Sequence, residues 1–278
     1  MIKILVPTDF STNSRAGLRF AIQWSSLQKS DLLFVHYFHT KRTSEWTDKE
    51  FKMHVAKDAV YYNKKLELFI RAIYTSTKTK PGKYVCLASY GLSADIAIMD
   101  YCRKHPEIGF ICIATRGAGK IEKLLGTNTG NLTTRSSVPV ITVPKNYRIK
   151  PIKHILYATD LRNYQEELKK VIALARPLSA QLSVLYLSKQ EDDLNDLTSM
   201  NNQVKEKLQY NIKLFIKDSS AASSLLKSLR KQIDKIKPSL IVMFTDQHRN
   251  FFQKLISPSK TEQISFGTKF PLLSYNKY

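Results

Sequence analysis

Lys3-Ile4-Leu5-Val6-Pro7-Thr8-Asp9 and His154-Ile155-Leu156-Tyr157-Ala158-Thr159-Asp160 carry one pattern: a short apolar run closed by Thr-Asp. Each reads as a buried strand that ends on polar residues. Three further landmarks recur in the same order. Leu33-Phe34-Val35-His36 matches Ser183-Val184-Leu185-Tyr186. Phe110-Ile111-Cys112-Ile113-Ala114-Thr115 matches Leu240-Ile241-Val242-Met243-Phe244-Thr245. Val138-Pro139-Val140-Ile141 matches Phe270-Pro271-Leu272-Leu273. Repeated landmarks in order indicate an internal duplication. The expected units are 1–145 and 151–278, joined by a linker from Pro144 to Pro151.

Within the first unit the hydrophobic period switches back and forth. Strands are expected at Ile2–Val6, Leu32–Tyr37, Tyr84–Ser89, Gly109–Ala114 and Val138–Val143. Helices are expected at Arg15–Leu27, with Ser11 as N-cap, at Asp48–Ile73 and at Ala94–Arg103 after a turn at Gly91. Strands alternating with helices imply an α/β fold with an open parallel sheet covered on both faces. The continuous apolar run Phe110–Ala114 agrees with burial on both sides. The second unit is shorter, mainly between its second and third strands.

Composition sets limits. The chain has 278 residues, 43% of them hydrophobic, enough for real cores. No apolar run approaches the ~20 residues that span a bilayer, and the N-terminus enters a strand at once. A cytoplasmic protein with no membrane partner is expected. Cys86, Cys102 and Cys112 are odd in number, lie among apolar residues and match no zinc spacing, so a core role is expected. The six histidines are scattered without ligand spacing. The net charge of +21 would attract polyanions. Yet Lys and Arg are spread along the chain, and no block resembles a nucleic-acid-binding motif.

The segment most suited to chemistry follows the fourth strand. Ala114-Thr115-Arg116-Gly117-Ala118-Gly119-Lys120 leads through Gly126-Thr127-Asn128-Thr129 into a helix reaching about Arg135. Ligands of open parallel sheets sit at the carboxyl ends of strands, where strand order reverses. Glycines there let main-chain N–H groups approach a phosphate, and a helix N-terminus adds free donors and partial positive charge. Arg116, Lys120 and Lys123 add charge; Thr127 adds a hydroxyl. No P-loop and no Gly-x-Ser-x-Gly elbow occurs.

Taken with Val6-Pro7-Thr8-Asp9-Phe10-Ser11, Val35-His36, Gly91 and Val138-Pro139-Val140-Ile141-Thr142-Val143-Pro144, this segment resembles the universal stress protein family. The resemblance spans nearly all of 1–145 and continues more loosely over 151–276. It implies two tandem Rossmann-like domains of the adenine nucleotide alpha hydrolase type. It also implies ATP, ADP or AMP as ligand, with Mg²⁺ as a companion of the phosphates. In ATP-binding members the loop reads Gly, two residues, Gly, nine residues, Gly, then Ser or Thr. Here Ala114 replaces the first Gly, and only eight residues separate Gly117 from Gly126 before Thr127. Alanine at 114 is tolerable in an ordinary backbone conformation and costly at a positive φ.

The resemblance implies a nucleotide site of Pro7, Thr8, Asp9, Tyr37, Ala114, Arg116, Gly117, Gly119, Lys120, Gly126, Thr127, Asn128 and Thr129. Asp9 would accept hydrogen bonds from the nucleoside, unless it merely caps the next helix. Tyr37 would offer its main-chain N–H and C=O to the base. The second unit keeps Asp160 but reads Thr245-Asp246-Gln247-His248 through Ser257-Pro258 with no glycine, so its motif is degenerate. The family resemblance also implies pairing of the fifth strands, here within one chain, and leaves a homodimer open. A stress-responsive nucleotide-binding regulator with protein partners is expected, not an enzyme. The alternatives are a nucleotide-free scaffold and a basic protein associating with nucleic acid.

Overall fold

The computed structural model describes residues 2–115, 127–159, 163–188, 209–218, 231–245 and 270–276. The first half contains β1 (Lys3–Pro7), α1 (Ser14–Gln28), β2 (Asp31–Phe38), α2 (Asp48–Thr77) and β3 (Tyr84–Tyr90). It continues through α3 (Ala94–Lys104), β4 (Ile108–Ala114), α4 (Thr127–Arg135) and β5 (Val140–Val143). The second half contains β6 (His154–Thr159), α5 (Tyr164–Ala175), β7 (Gln181–Ser188), β8 (Ile212–Asp218), β9 (Leu240–Thr245) and β10 (Leu272–Asn276).

All ten strands among the described residues join one sheet in the order β3-β2-β1-β4-β5-β10-β9-β6-β7-β8. Each half therefore runs 3-2-1-4-5, and the two halves meet back to back. Every pairing is parallel except β5 with β10, where Thr142 faces Leu272, Ile141 faces Leu273 and Val140 faces Ser274. Two buried hydroxyls reinforce that seam. Ser274 Oγ donates to the Val140 carbonyl at 3.1 Å, and Thr142 Oγ1 donates to the Leu272 carbonyl at 3.4 Å.

Burial follows from the patterning. One core joins α1, α2 and α5 to one face of both halves: Phe20, Trp24, Leu66 and Ile70 run through Tyr147 and Ile152 to Val171 and Leu182. The linker is part of this core. Tyr147 donates to Gln23 Oε1 at 2.7 Å, and Gln23 Nε2 donates to the Lys150 carbonyl at 2.6 Å. On the opposite face of the first half, Leu5, Val35, Ile111 and Val140 pack against Ile98 and Cys102 of α3 and Leu132 of α4. All three cysteines are free thiols, and Cys102 and Cys112 are buried. No described helix is long and apolar enough to cross a membrane.

Several expected boundaries move by a few residues, two of them at the starts of β5 and α1. The fifth strand begins at Val140 rather than Val138, because Pro139 has no N–H for the ladder. The α1 N-cap is Asn13, which makes no side-chain capping bond. Ser11 still serves the helix start: its Oγ accepts the Ser14 N–H at 3.3 Å.

Candidate nucleotide site

Strand order reverses between β1 and β4, and α1 and α3 leave the sheet on opposite faces there. A hollow of about 150 Å³ opens at the carboxyl ends of these strands. Pro7, Thr8 and Asp9 line it from β1, Val35, His36 and Tyr37 from β2, and Ile113 and Ala114 from β4. Ser11, Asn13 and Ser14 come from the turn into α1, Ala94 and Ile98 from α3, and Thr129 from α4. Of the thirteen residues expected from sequence, the structure thus gathers Pro7, Thr8, Asp9, Tyr37, Ala114 and Thr129 around one space. Thr127 and Asn128 open α4 beside it. Arg116, Gly117, Gly119, Lys120 and Gly126 lie outside the described residues, as do Asp160 and the degenerate segment from Asp246 to Pro258.

The turn after β1 is held by a directed hydrogen-bond chain. Ser14 Oγ donates to the Ser11 carbonyl at 2.8 Å, so its one hydrogen is used. Thr8 Oγ1, 2.8 Å from Ser14 Oγ, must therefore be the donor between them. Thr8 Oγ1 in turn accepts the Phe10 N–H at 3.1 Å. Phe10 has φ 62°, a left-handed conformation rare for a bulky residue. It is braced by the His36 ring at 4.3 Å and by Lys65 Nζ at 4.7 Å over its face. Asp9 closes a local turn by accepting the Ser11 N–H on Oδ1 at 3.0 Å and does not cap α1.

His36 is a packed residue, as its place at a strand end suggests. Its Nδ1 lies 2.9 Å from the Thr8 carbonyl, which can only accept, so Nδ1 carries the proton. Burial lowers its pKa, the Lys65 charge adds to that, and the Thr8 bond and Asp9 oppose it. Tyr62 stacks on Phe38, whereas Tyr61 is exposed.

The parity of β2 decides what Tyr37 presents. Thr8 N–H donates to the Val35 carbonyl at 2.9 Å, so odd-numbered residues of β2 turn their main-chain polar groups toward β1. Gly91 N–H donates to the Phe38 carbonyl at 2.9 Å, so even-numbered residues face β3. Tyr37 is odd, and β1 ends at Pro7, opposite Val35. The Tyr37 N–H and C=O therefore face the space beyond the end of β1. Its ring lies on the α3 side, with the phenol directed to the Ala97 carbonyl at 3.4 Å and its pKa pushed up to about 12 by burial.

The glycine replacement at 114 also has an answer. Ala114 is the last residue of β4 and does not have a positive φ. It needs no glycine conformation. The close approach is made by Gly17 of α1 instead. A Cβ there would lie 2.9 Å from Ala114 N and 3.3 Å from Ile113 C.

Sequence reasoning missed Val35, His36 and Ile113, which the strand-end rule alone could have supplied. Ala94 and Ile98 gave no sequence signal, since nothing in α3 says that its first turns border this space. Among the described residues no group of three or more His, Cys, Asp or Glu is placed to hold a metal ion.

The family model described as the universal stress protein family matches residues 1–144, just over half of the chain. The chain belongs to the universal stress protein family. Solved structures agree on the fold. A universal stress protein from Archaeoglobus fulgidus DSM 4304 aligns over 99% of this chain and 98% of its own, with a TM-score of 0.73 and 17% identity. A functionally unknown protein from Pseudomonas aeruginosa PAO1 aligns over 99% and 92%, with a TM-score of 0.58 and 11% identity. At such identities the likeness establishes the two-half architecture of this universal stress protein. No curated protein matches its sequence significantly.

Proposed function

We propose that this universal stress protein binds ATP, or a related adenine nucleotide, in its first half and acts as a nucleotide-responsive regulator. The observation that carries the reading is the Tyr37 main chain. One donor and one acceptor face a hollow at the topological switch point, the arrangement an adenine edge requires. A cavity of about 150 Å³ is the size that admits a single benzene-sized ring. It is smaller than the ~300–1,000 Å³ of a complete ligand site. The base would enter it, the ribose would meet Asp9, and the phosphates would extend toward Thr127, Asn128 and Thr129. Arg116, Gly117, Gly119, Lys120 and Gly126 complete that proposed cradle, with Mg²⁺ on the phosphates. Pro7, Thr8 and Ala114 wall the base.

The division of labour belongs to the same proposal. Residues 1–145 form the nucleotide-binding domain, and 151–278 form a partner domain whose degenerate motif holds no nucleotide. Regulation then works by a difference in ligand affinity between two conformations that protein partners read.

Thermal unfolding with and without ATP and Mg²⁺ tests this. Ligand at a hundred times its Kd adds about 2.7 kcal/mol, roughly 5–10 °C for a chain of this size. No shift at millimolar ATP refutes nucleotide binding and favours a scaffold. The net charge of +21 supports a second reading, association with nucleic acid. That affinity would fall steeply with salt, and failure to bind RNA at low salt removes it.

A further inference from the structure

Asp95, the second residue of α3, is only 4% exposed. A buried carboxylate is costly unless donors meet it. Burial works to raise its pKa. Bonds from Ser93, Asn131 and the main-chain amides of Ile96 and Asp95 together outweigh burial and hold the carboxyl below the usual range. The Ser93 hydroxyl and the two amides are local, the ordinary equipment of a helix start. The fourth donor is not. Asn131 Nδ2, from α4, reaches Asp95 Oδ2 at 2.6 Å.

That bond joins two walls of the hollow. Ala94, beside Asp95, and Ile98, one turn on, line it from α3. Thr129, two residues before Asn131, lines it from α4. Residues two apart on a helix point in different directions, so Thr129 can face the hollow while Asn131 grips α3. Thr129 is 4% exposed, and its carbonyl is already taken by Thr133 Oγ1 at 2.7 Å. The first turn of α4 is thus fixed from one side by its own helix and from the other by Asp95.

We infer that Asp95 is a positioning residue for phosphate recognition: through Asn131 it sets the start of α4 so that the main-chain amides of its first turn face the phosphates. Asp95 itself touches no ligand. The inference rests on the nucleotide reading above and adds a source for a preference of ATP over adenosine. It separates two affinities that a general loss of stability would lower together. Adenosine uses the hollow walled by β1 and β2; ATP uses that hollow and α4.

The test compares dissociation constants for ATP and adenosine, by calorimetry on the full chain, in wild type, Asn131→Ala, Asp95→Ala and Asp95→Asn. Asn131→Ala leaves the carboxylate its three local donors and so keeps the fold if Asp95→Ala does not. The wild type should prefer ATP. Asn131→Ala should lose roughly tenfold or more of that preference, the scale of one hydrogen bond to a charged group, with adenosine affinity nearly unchanged. Asp95→Asn, which keeps an acceptor for Asn131, should retain most of it. Equal losses for both ligands, or an unchanged ATP preference in Asn131→Ala, overturn the inference while leaving nucleotide binding intact. A wild type that binds neither ligand overturns the nucleotide reading and this inference with it.

Discussion

Gly17 shows how much one missing methyl can decide. Glycine inside a helix costs about 1 kcal/mol relative to alanine, so on propensity alone Gly17→Ala should stabilise α1. The added Cβ, however, would stand 2.9 Å from the main-chain nitrogen of Ala114. Main chain in a sheet cannot step aside as a side chain can, and overpacking typically costs about 1–3 kcal/mol. We expect Gly17→Ala to lower stability by about 1 kcal/mol net and to weaken ATP binding, because the end of β4 must shift. Urea unfolding and calorimetry check both; a more stable variant with unchanged affinity would contradict the packing argument. None of this was legible from the sequence. Gly17 reads there as one more residue of a helical stretch, and only the register of α1 on β4 gives it a role. Ala114 is the reverse case: it reads as a damaged motif, yet its strand conformation is ordinary. That Pro7, Thr8, Asp9 and Tyr37 gather at strand ends was legible, from the apolar runs they follow and from the family resemblance.

At the scale of elements, α2 was legible at its start and not at its end. Thr47 and Glu50 form a capping box: Thr47 Oγ1 accepts the Glu50 N–H at 3.3 Å, and Glu50 accepts the Thr47 N–H at 2.9 Å. The helix was expected to stop at Ile73. It continues to Thr77, where the hydroxyls find partners on carbonyls of the preceding turn: Thr75 on Arg71, Ser76 and Thr77 on Ile73. The fully packed residues Leu66, Ile70, Ile73 and Tyr74 all lie in its C-terminal half. Thr47→Ala should therefore cost about 1 kcal/mol and express it locally. Amide exchange across residues 48–56 should quicken several-fold, while the global unfolding midpoint moves little. Faster exchange spread evenly over the whole helix would show that α2 opens as one unit.

For the whole molecule, duplication was legible because four landmarks recur in order, and the resemblance implied the pairing of the fifth strands that β5 and β10 make; the strand order and the direction of that pairing were not legible. Nothing in an apolar run states that β4 lies beside β1, or that β5 and β10 run antiparallel. That join leaves Val140, Ile141 and Val143 with no exposure. A fragment of residues 1–147 would bare this edge and its apolar side chains to water, a template for pairing. We expect the fragment to form a dimer through β5 in place of β10, seen by sedimentation at micromolar concentration. A stable monomer would show that the seam is dispensable.

The position of α4 has a mechanical corollary. Its first turn borders the hollow, and its body rests on both β5 and β10. It is a single beam laid across the joint between the halves, with one end over the hollow. Any tilt imposed at that end is levered through β10 onto the neighbouring half.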